Sequence, residues 1–409
     1  MRQTPLLTWA ALSGLMLAAG CAENGNTIGA STNSKWIDAW AASFLPTNVN
    51  GTVQDVPAPN HQTIRLVVFT KLGGSAARLR FTNQFETTPL VIGAVHIALR
   101  DQGSNIVPGT DRALSFAGAR GVTIPPGQEI WSDPVTLSVP QHADVAISVY
   151  LPGARKPAAF HARGLKTSYL SAPGDFTAAA AIPPAAENPR TATQIFFVDD
   201  LEVLSLARTK VIVAFGDSIT DGSTSTVDTN SSWPDMLSKR LSALPDGTPV
   251  SVINMGIGSN RLVTADAAGP AGLKRLDHDV LARPNVTHLI LMEGINDISY
   301  EHPKADQLIA AYKDVIAKAH AKGIKVYGVT LLPIQNSTKD TPANEATRHA
   351  VNQWIRESGA YDAVLDFEKV VRDPANPLRI RADLTTDYVH PNSAGYKLLA
   401  ESVDLKLFQ

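Results

Sequence analysis

Cysteine is almost absent from this chain, with Cys21 the single one in 409 residues, so a thiolate metal centre cannot be assembled. The ten histidines are scattered and none forms a His-Glu-x-x-His pair, which removes the usual zinc-hydrolase signature. Charge of one sign is also missing. Thirty-six basic residues against 38 acidic ones give a net charge of −2, with no long run of lysine or arginine, and this leaves no basic field for nucleic acid. No serine sits in a Gly-x-Ser-x-Gly elbow, which argues against the α/β-hydrolase fold. Gly256-Ile257-Gly258 opens like a dinucleotide fingerprint, but Arg261 stands where the third glycine belongs, and no clear acidic ribose ligand accompanies it. Neither a metal nor a cofactor is expected.

What the chain does have is a series of chemical residues placed just after apolar runs. Phe215-Gly216-Asp217-Ser218-Ile219-Thr220 follows Val211 to Ala214. A strand ending in a Gly-Asp turn presents Ser218 at the carboxyl edge of a parallel sheet, where the next helix aims its amide N–H groups. Asp387-Tyr388-Val389-His390-Pro391 lies near the C-terminus. An Asp three residues before a His lets the carboxylate hold one ring nitrogen while the other faces the serine. Two more segments complete the series. Asn254-Met255-Gly256-Ile257-Gly258-Ser259-Asn260-Arg261 follows Val250 to Ile253, and Glu293-Gly294-Ile295-Asn296-Asp297 follows His288 to Met292.

Ser, Gly, Asn and Asp/His in that order at four strand-to-loop junctions resemble the SGNH/GDSL hydrolases, over roughly residues 208 to 409. The resemblance implies Ser218 as nucleophile, His390 as general base and Asp387 as the carboxylate that fixes the imidazole tautomer. It also implies an oxyanion hole made of the Ser218 backbone N–H, the Asn296 side chain and a backbone N–H from the second block. There Ser259 occupies the family's glycine position, and either Gly258 or Ser259 supplies the amide. A serine at positive φ costs on the order of 1 kcal/mol. Asp217 is expected to shape the turn, with Asn254, Gly256 and Gly294 in support; Arg261 and Asp297 either contact substrate or lock loops.

The length allows two buried cores. Arg2 followed by the apolar stretch Leu6 to Ala19, too short for a stable membrane span, reads as an export signal over residues 1–21. Leu17-Ala18-Ala19-Gly20-Cys21 resembles a lipoprotein signal whose leucine stands one place too far upstream. Lipidation of Cys21 is the favoured reading and ordinary secretion the other. Residues 22–35, rich in Asn, Ser, Thr and Gly, read as a flexible tether. From 36 to 205, β-rich runs at Gln62 to Lys71, Ala76 to Asn83, Val91 to Arg100, Val122 to Trp131, Val135 to Val139, Asp144 to Leu151 and Gln194 to Leu204 predict an all-β sandwich or jelly-roll-like domain. The Ala/Pro-rich piece Pro173 to Thr193 reads as a long surface loop.

From Val211 onward, strands near 211–215, 250–253, 288–292, 324–331 and 362–366 alternate with helices near 232–244, 304–322, 343–359 and 393–407, which predicts a parallel sheet between helices. The family resemblance makes this a three-layer α/β/α, flavodoxin-like SGNH hydrolase domain over 208–409. The expected protein is an exported serine esterase, its substrate a carbohydrate O-acetyl or other short-chain ester, with a lipase or phospholipase as the alternative and an inactive cell-surface binding lipoprotein as a third reading. Its partners are then an ester, borne by an acylated polysaccharide or a lipid, with no nucleic acid and with membrane contact only through the N-terminal anchor. The sequence leaves the oligomeric state open.

Overall fold

The structure, a computed structural model, describes residues 33–49, 52–53, 55–185, 191–265 and 269–409. Cys21, the export signal and most of the tether lie outside the described residues. Residues 34 and 35, read from sequence as tether, belong to a strand instead. Ser34–Ala41 pairs antiparallel with Val198–Leu206, and its apolar Ile37, Ala39 and Ala41 are buried. The polar stretch just before it masked this strand.

The N-terminal region is β-rich with antiparallel sheets. In one sheet Ser34–Ala41, Val198–Leu206, Gly74–Thr82 and Glu129–Trp131 lie side by side, and Val135–Val139 also pairs with Gly74–Thr82. The other runs Thr191–Ala192, Ser168–Pro173, Gln62–Phe69, Asp144–Leu151, Ala94–Leu99, Arg112–Leu114. Alternate residues of the two sheets, such as Ile64, Leu66 and Val68 against Ala77, Leu79 and Phe81, share one core, as the period of two requires. Two expected strands are broken in the structure. Val91 to Arg100 is interrupted at Gly93 and Val122 to Trp131 at Pro125-Pro126-Gly127, since prolines withhold ladder donors. Part of the Ala/Pro-rich loop packs over the second sheet. Buried Arg65 donates to Ala179 O at 2.7 Å and to Ser104 O at 2.6 Å, which satisfies an otherwise costly buried cation.

The C-terminal region is a parallel sheet of β1 (Lys210–Gly216), β2 (Val250–Gly256), β3 (Val286–Met292), β4 (Lys325–Val329) and β5 (Ala363–Leu365), in the order β2-β1-β3-β4-β5. That is the doubly wound, flavodoxin-like order with its switch point beside β1. Helices α1 (Ser218–Asp221), α2 (Trp233–Leu241), α3 (Gly272–Leu276), α4 (Ile295–Glu301), α5 (Ala305–His320), α6 (Pro342–Glu357), α7 (Phe367–Val371) and α8 (Ser393–Ser402) connect the strands. The long helices start where side-chain caps and prolines favour it: Ser232 caps α2, Thr341 caps α6 ahead of Pro342, and Asn392 caps α8. Ile212 and Ala214 of β1 face α2, α7 and α8. Val211, Val213 and Phe215 point the other way, into a cluster that includes α5 and α6 and runs on into the β-domain core. A helix following the Gly-Asp turn is expected from the sequence and is found as the four-residue α1; the short helices α3, α4 and α7 are not foreseen, because none is long enough to show a 3.6-residue period.

The two regions are joined by buried polar contacts as well as apolar ones. Arg283, 7% exposed, donates to Asp38 at 2.9 Å and Asp200 at 2.7 Å. Ser43 donates to Asp279 at 2.7 Å, and Lys71 pairs with Asp235 at 2.6 Å. Removing the β-rich side would leave Arg283 without Asp38 and Asp200, take Lys71 from Asp235 and bare Ile253 and Met255, and a buried charge left without its partner costs several kcal/mol. A chain truncated to residues 205–409 is therefore expected to aggregate, or to melt well below the full-length protein, and to lose its esterase activity. Calorimetry and ester assays check this, and a soluble fragment with full-length melting temperature would contradict it.

Candidate active site

Three neighbouring strand ends set the site. Gly216 at the end of β1 is in register with Gly256 of β2 on one side and Met292 of β3 on the other. The next few residues of each strand, Asp217-Ser218, Ile257-Gly258-Ser259 and Glu293-Gly294-Ile295-Asn296, therefore leave the sheet at one level and on one edge. Arg275, 6% exposed, ties these ends together by donating to Gly216 O at 2.9 Å, Met255 O at 2.7 Å and the Asn260 side chain at 2.8 Å, with its guanidinium 3.9 Å from the centroid of the Phe215 ring.

The turn at Ser218 is tightly determined. Asp217 accepts from the Ile219 N–H at 2.9 Å and so caps α1. Its burial pushes the carboxyl up to about 7. Asn254 reaches up from β2, donating to Thr220 O at 2.9 Å and accepting from the Gly256 N–H at 3.0 Å. Gly256 allows α1 to lie against the strand, because a Cβ there would sit 2.2 Å from the Asp221 nitrogen. Asp217, Asn254 and Gly256 thus hold the helix that carries Ser218.

Ser218, 6% exposed, faces the C-terminal loop: its Oγ is 2.8 Å from His390 Nε2. His390 Nδ1 is 2.6 Å from Asp387 Oδ2, and Asp387 Oδ1 accepts from the N–H groups of Val389 at 2.9 Å and His390 at 2.8 Å. Tyr388, at φ 57°, makes the tight turn that folds the carboxylate back onto the ring. Thr385, not singled out in the sequence, accepts from the Tyr388 N–H at 2.9 Å and donates to His390 O at 2.8 Å. Burial lowers the His390 pKa below its usual 6.5; Asp387 opposes this, and the nearby cations Arg163 and Lys339 add to it. Burial pushes the Asp387 carboxyl up, but the hydrogen bonds from the His390 ring and the two amides win and hold it low. A neutral imidazole between a hydroxyl and a carboxylate is the arrangement that can take a proton from the hydroxyl.

On the opposite side, Ser259 adopts φ 63°, the left-handed geometry that the family's glycine would hold without strain. Gly258 lies beneath Arg163, with a Cβ there only 1.8 Å from Arg163 Nη1. Asn296 is buried. One of its amide hydrogens goes to Asn260 O at 2.9 Å, and its oxygen accepts from Lys339 Nζ at 2.9 Å, which fixes the amide orientation and leaves the second N–H for an incoming oxygen. Asp297 locks a loop by accepting from the N–H groups of Leu262 at 2.8 Å and Val263 at 2.9 Å. Arg261 pairs with Glu301 and lies over the Tyr300 ring at 4.8 Å. Gly294 makes room for the Tyr312 hydroxyl, 2.5 Å from where a Cβ would be, and that hydroxyl donates to Glu293 O at 2.6 Å.

Asn260, Arg275, Lys339 and Arg163 escaped the sequence reading. Asn260 lies in the segment after β2 without a chemical signature of its own, and Arg275 belongs to no motif. Lys339 and Arg163 arrive from a distant loop and from the other domain.

Residues 214–398 match the model of the GDSL-like lipase/acylhydrolase family. The C-terminal domain belongs to that family, and the protein is a carboxylic ester hydrolase. No curated protein matches the chain. Similar solved structures include an acetyl xylan esterase, AlAXEase, at 24% identity over 47% of this chain and 96% of that one, with a TM-score of 0.37. The M. smegmatis aryl esterase is 16% identical over 49% and 98%, with a TM-score of 0.40. A carbohydrate acetylesterase family member from Sinorhizobium meliloti is 15% identical over 48% and 97%, with a TM-score of 0.39.

If Asn296 donates to the developing oxyanion, Asn296→Ala should lower kcat by about 10²–10³ with little change in KM. A loss confined to KM would make it a substrate-binding group instead. Ser259→Gly keeps the backbone donor and relieves the positive φ, so activity should stay within several-fold while the melting temperature holds or rises. Steady-state kinetics and thermal melts on the two purified variants read both results.

Proposed function

We propose that the protein is an exported serine esterase that removes short acyl groups, acetyl foremost, from carbohydrate. The observation that carries the mechanism is the Ser218–His390–Asp387 hydrogen-bond chain at 2.8 and 2.6 Å. Ser218 Oγ attacks the ester carbonyl as its proton passes to His390 Nε2. The negative charge on the carbonyl oxygen is met by the Ser218 backbone N–H, an amide of the Gly258–Ser259 turn and the Asn296 side chain. The tetrahedral intermediate collapses, and His390 returns the proton to the departing alcohol oxygen. Water, deprotonated by His390, then attacks the acyl-enzyme, and the acid leaves with Ser218 restored.

A polar alcohol suits the surroundings of the serine, where Arg163 and Lys339 are the added charges, better than a long acyl chain does. The preference for glycans over lipids follows from that polarity and from the β-rich domain set against the catalytic one. Export, with Cys21 lipidated, is proposed from the N-terminal sequence alone.

Removing either end of the proton path should be severe: Ser218→Ala and His390→Ala are each expected to lower kcat by ~10⁴ to 10⁶, and Asp387→Asn somewhat less. The base must be neutral to act, and its pKa lies below 6.5. In the wild type, kcat/KM should accordingly be flat near neutrality and fall as pH drops through that lower value. Near-normal hydrolysis by a folded Ser218→Ala protein, or a rate that rises on acidification, would rule the mechanism out.

A further inference from the structure

Arg163 belongs to the β-rich domain, yet it sits on the oxyanion side of the serine. Its backbone is pinned to the catalytic domain. Both ring nitrogens of the preceding His161 face only acceptors: Nδ1 is 2.9 Å from Ser43 O, and Nε2 is 3.1 Å from Arg163 O and 3.3 Å from Asp221 Oδ1 at the end of α1. The imidazole is therefore held as a cation against the helix that bears Ser218. The Gly164 N–H donates to Thr193 O at 2.7 Å, and the Asp228 N–H donates to Leu165 O at 2.9 Å. The segment cannot drift, and its guanidinium is laid over Gly258, which lacks the side chain that would displace it.

Among the described residues, that guanidinium has no hydrogen bond and no ion pair. The other cations nearby are engaged. Arg261 pairs with Glu301, and Lys339 binds the Asn296 amide oxygen and lies 4.6 Å from the Tyr300 ring centroid. Carboxylates are equally occupied or hidden. Asp387 is spent on His390, Asp221 on His161, Asp217 on the Ile219 N–H and Asp297 on two amides, while Glu293 is buried at 1% exposure. An exposed arginine whose backbone is pinned and whose guanidinium lies over Gly258, with no acid of its own, offers a forked donor to an incoming anion.

We propose that Arg163 is a specificity-determining residue that binds a carboxylate on the alcohol part of the ester, so that the preferred substrates are O-acylated uronic acids and not neutral sugars. This rests on the esterase reading of Ser218. An acetyl group carries no charge, which places the anion on the alcohol. Lys339 adds positive potential to the same rim.

The test compares kcat/KM of the full-length protein on an O-acetyl glucuronoside, on the matching O-acetyl glucoside and on a neutral alcohol's monoester of succinic acid. The wild type should favour the uronate over the glucoside by about tenfold or more. The preference should fall as salt is raised, because exposed ion pairs are screened. Arg163→Gln should bring the ratio near one and Arg163→Lys should keep part of it. An unselective wild type, a preference indifferent to salt, or an unchanged ratio in a folded Arg163→Gln protein would overturn the proposal. A preference for the succinyl ester that depends on Arg163 would also overturn it, by placing the anion on the acyl side. Absence of hydrolysis of all three esters would instead contradict the esterase reading beneath it.

Discussion

The lateral register of Gly216, Gly256 and Met292 is the constraint from which the site follows. Parallel strands in register release their next residues on one edge and at one height, so three loops far apart in sequence meet without any need to be long. The buried Arg275, bonded to the carbonyls of Gly216 and Met255 and to Asn260, cross-links the strand ends, and Gly216 O also accepts from the Ile257 N–H at 3.0 Å. A slip of one residue in β2 would turn Ile257 toward α1 and put a side chain where Gly256 admits the Asp221 backbone.

The serine side is built from rigid elements and the histidine side from a turn. Asp217 and Asn254 fix α1 through backbone hydrogen bonds, and His161 of the other domain anchors its far end at Asp221. His390 depends on the local Asp387–Thr385 turn, in which one carboxylate orients the ring and also collects two backbone amides. This economy explains why the Asp three residues before the His is readable from sequence: the contact is local.

What the sequence shows and what it conceals divide along the same line. The alternating strands and helices of 208–409, the turn at Ser218 and the pair Asp387/His390 follow from short-range patterns. Asn260 and Arg275 work by filling buried hydrogen-bond positions, and nothing in their neighbours marks them. Arg163 and Lys339 are brought in by tertiary packing across the domain contact and from the loop before α6. Ser34–Ala41 was hidden by its polar flank, and the breaks at Gly93 and at Pro125-Pro126 show local chemistry overriding apolar alternation.

The central claim is that Ser218 is an activated nucleophile. Labelling with a fluorophosphonate probe, followed by peptide mapping, tests it most directly. The account predicts a single adduct on Ser218, formed quickly near neutral pH and nearly abolished in His390→Ala. An intact, folded protein left unlabelled, or an adduct on another serine, would contradict it.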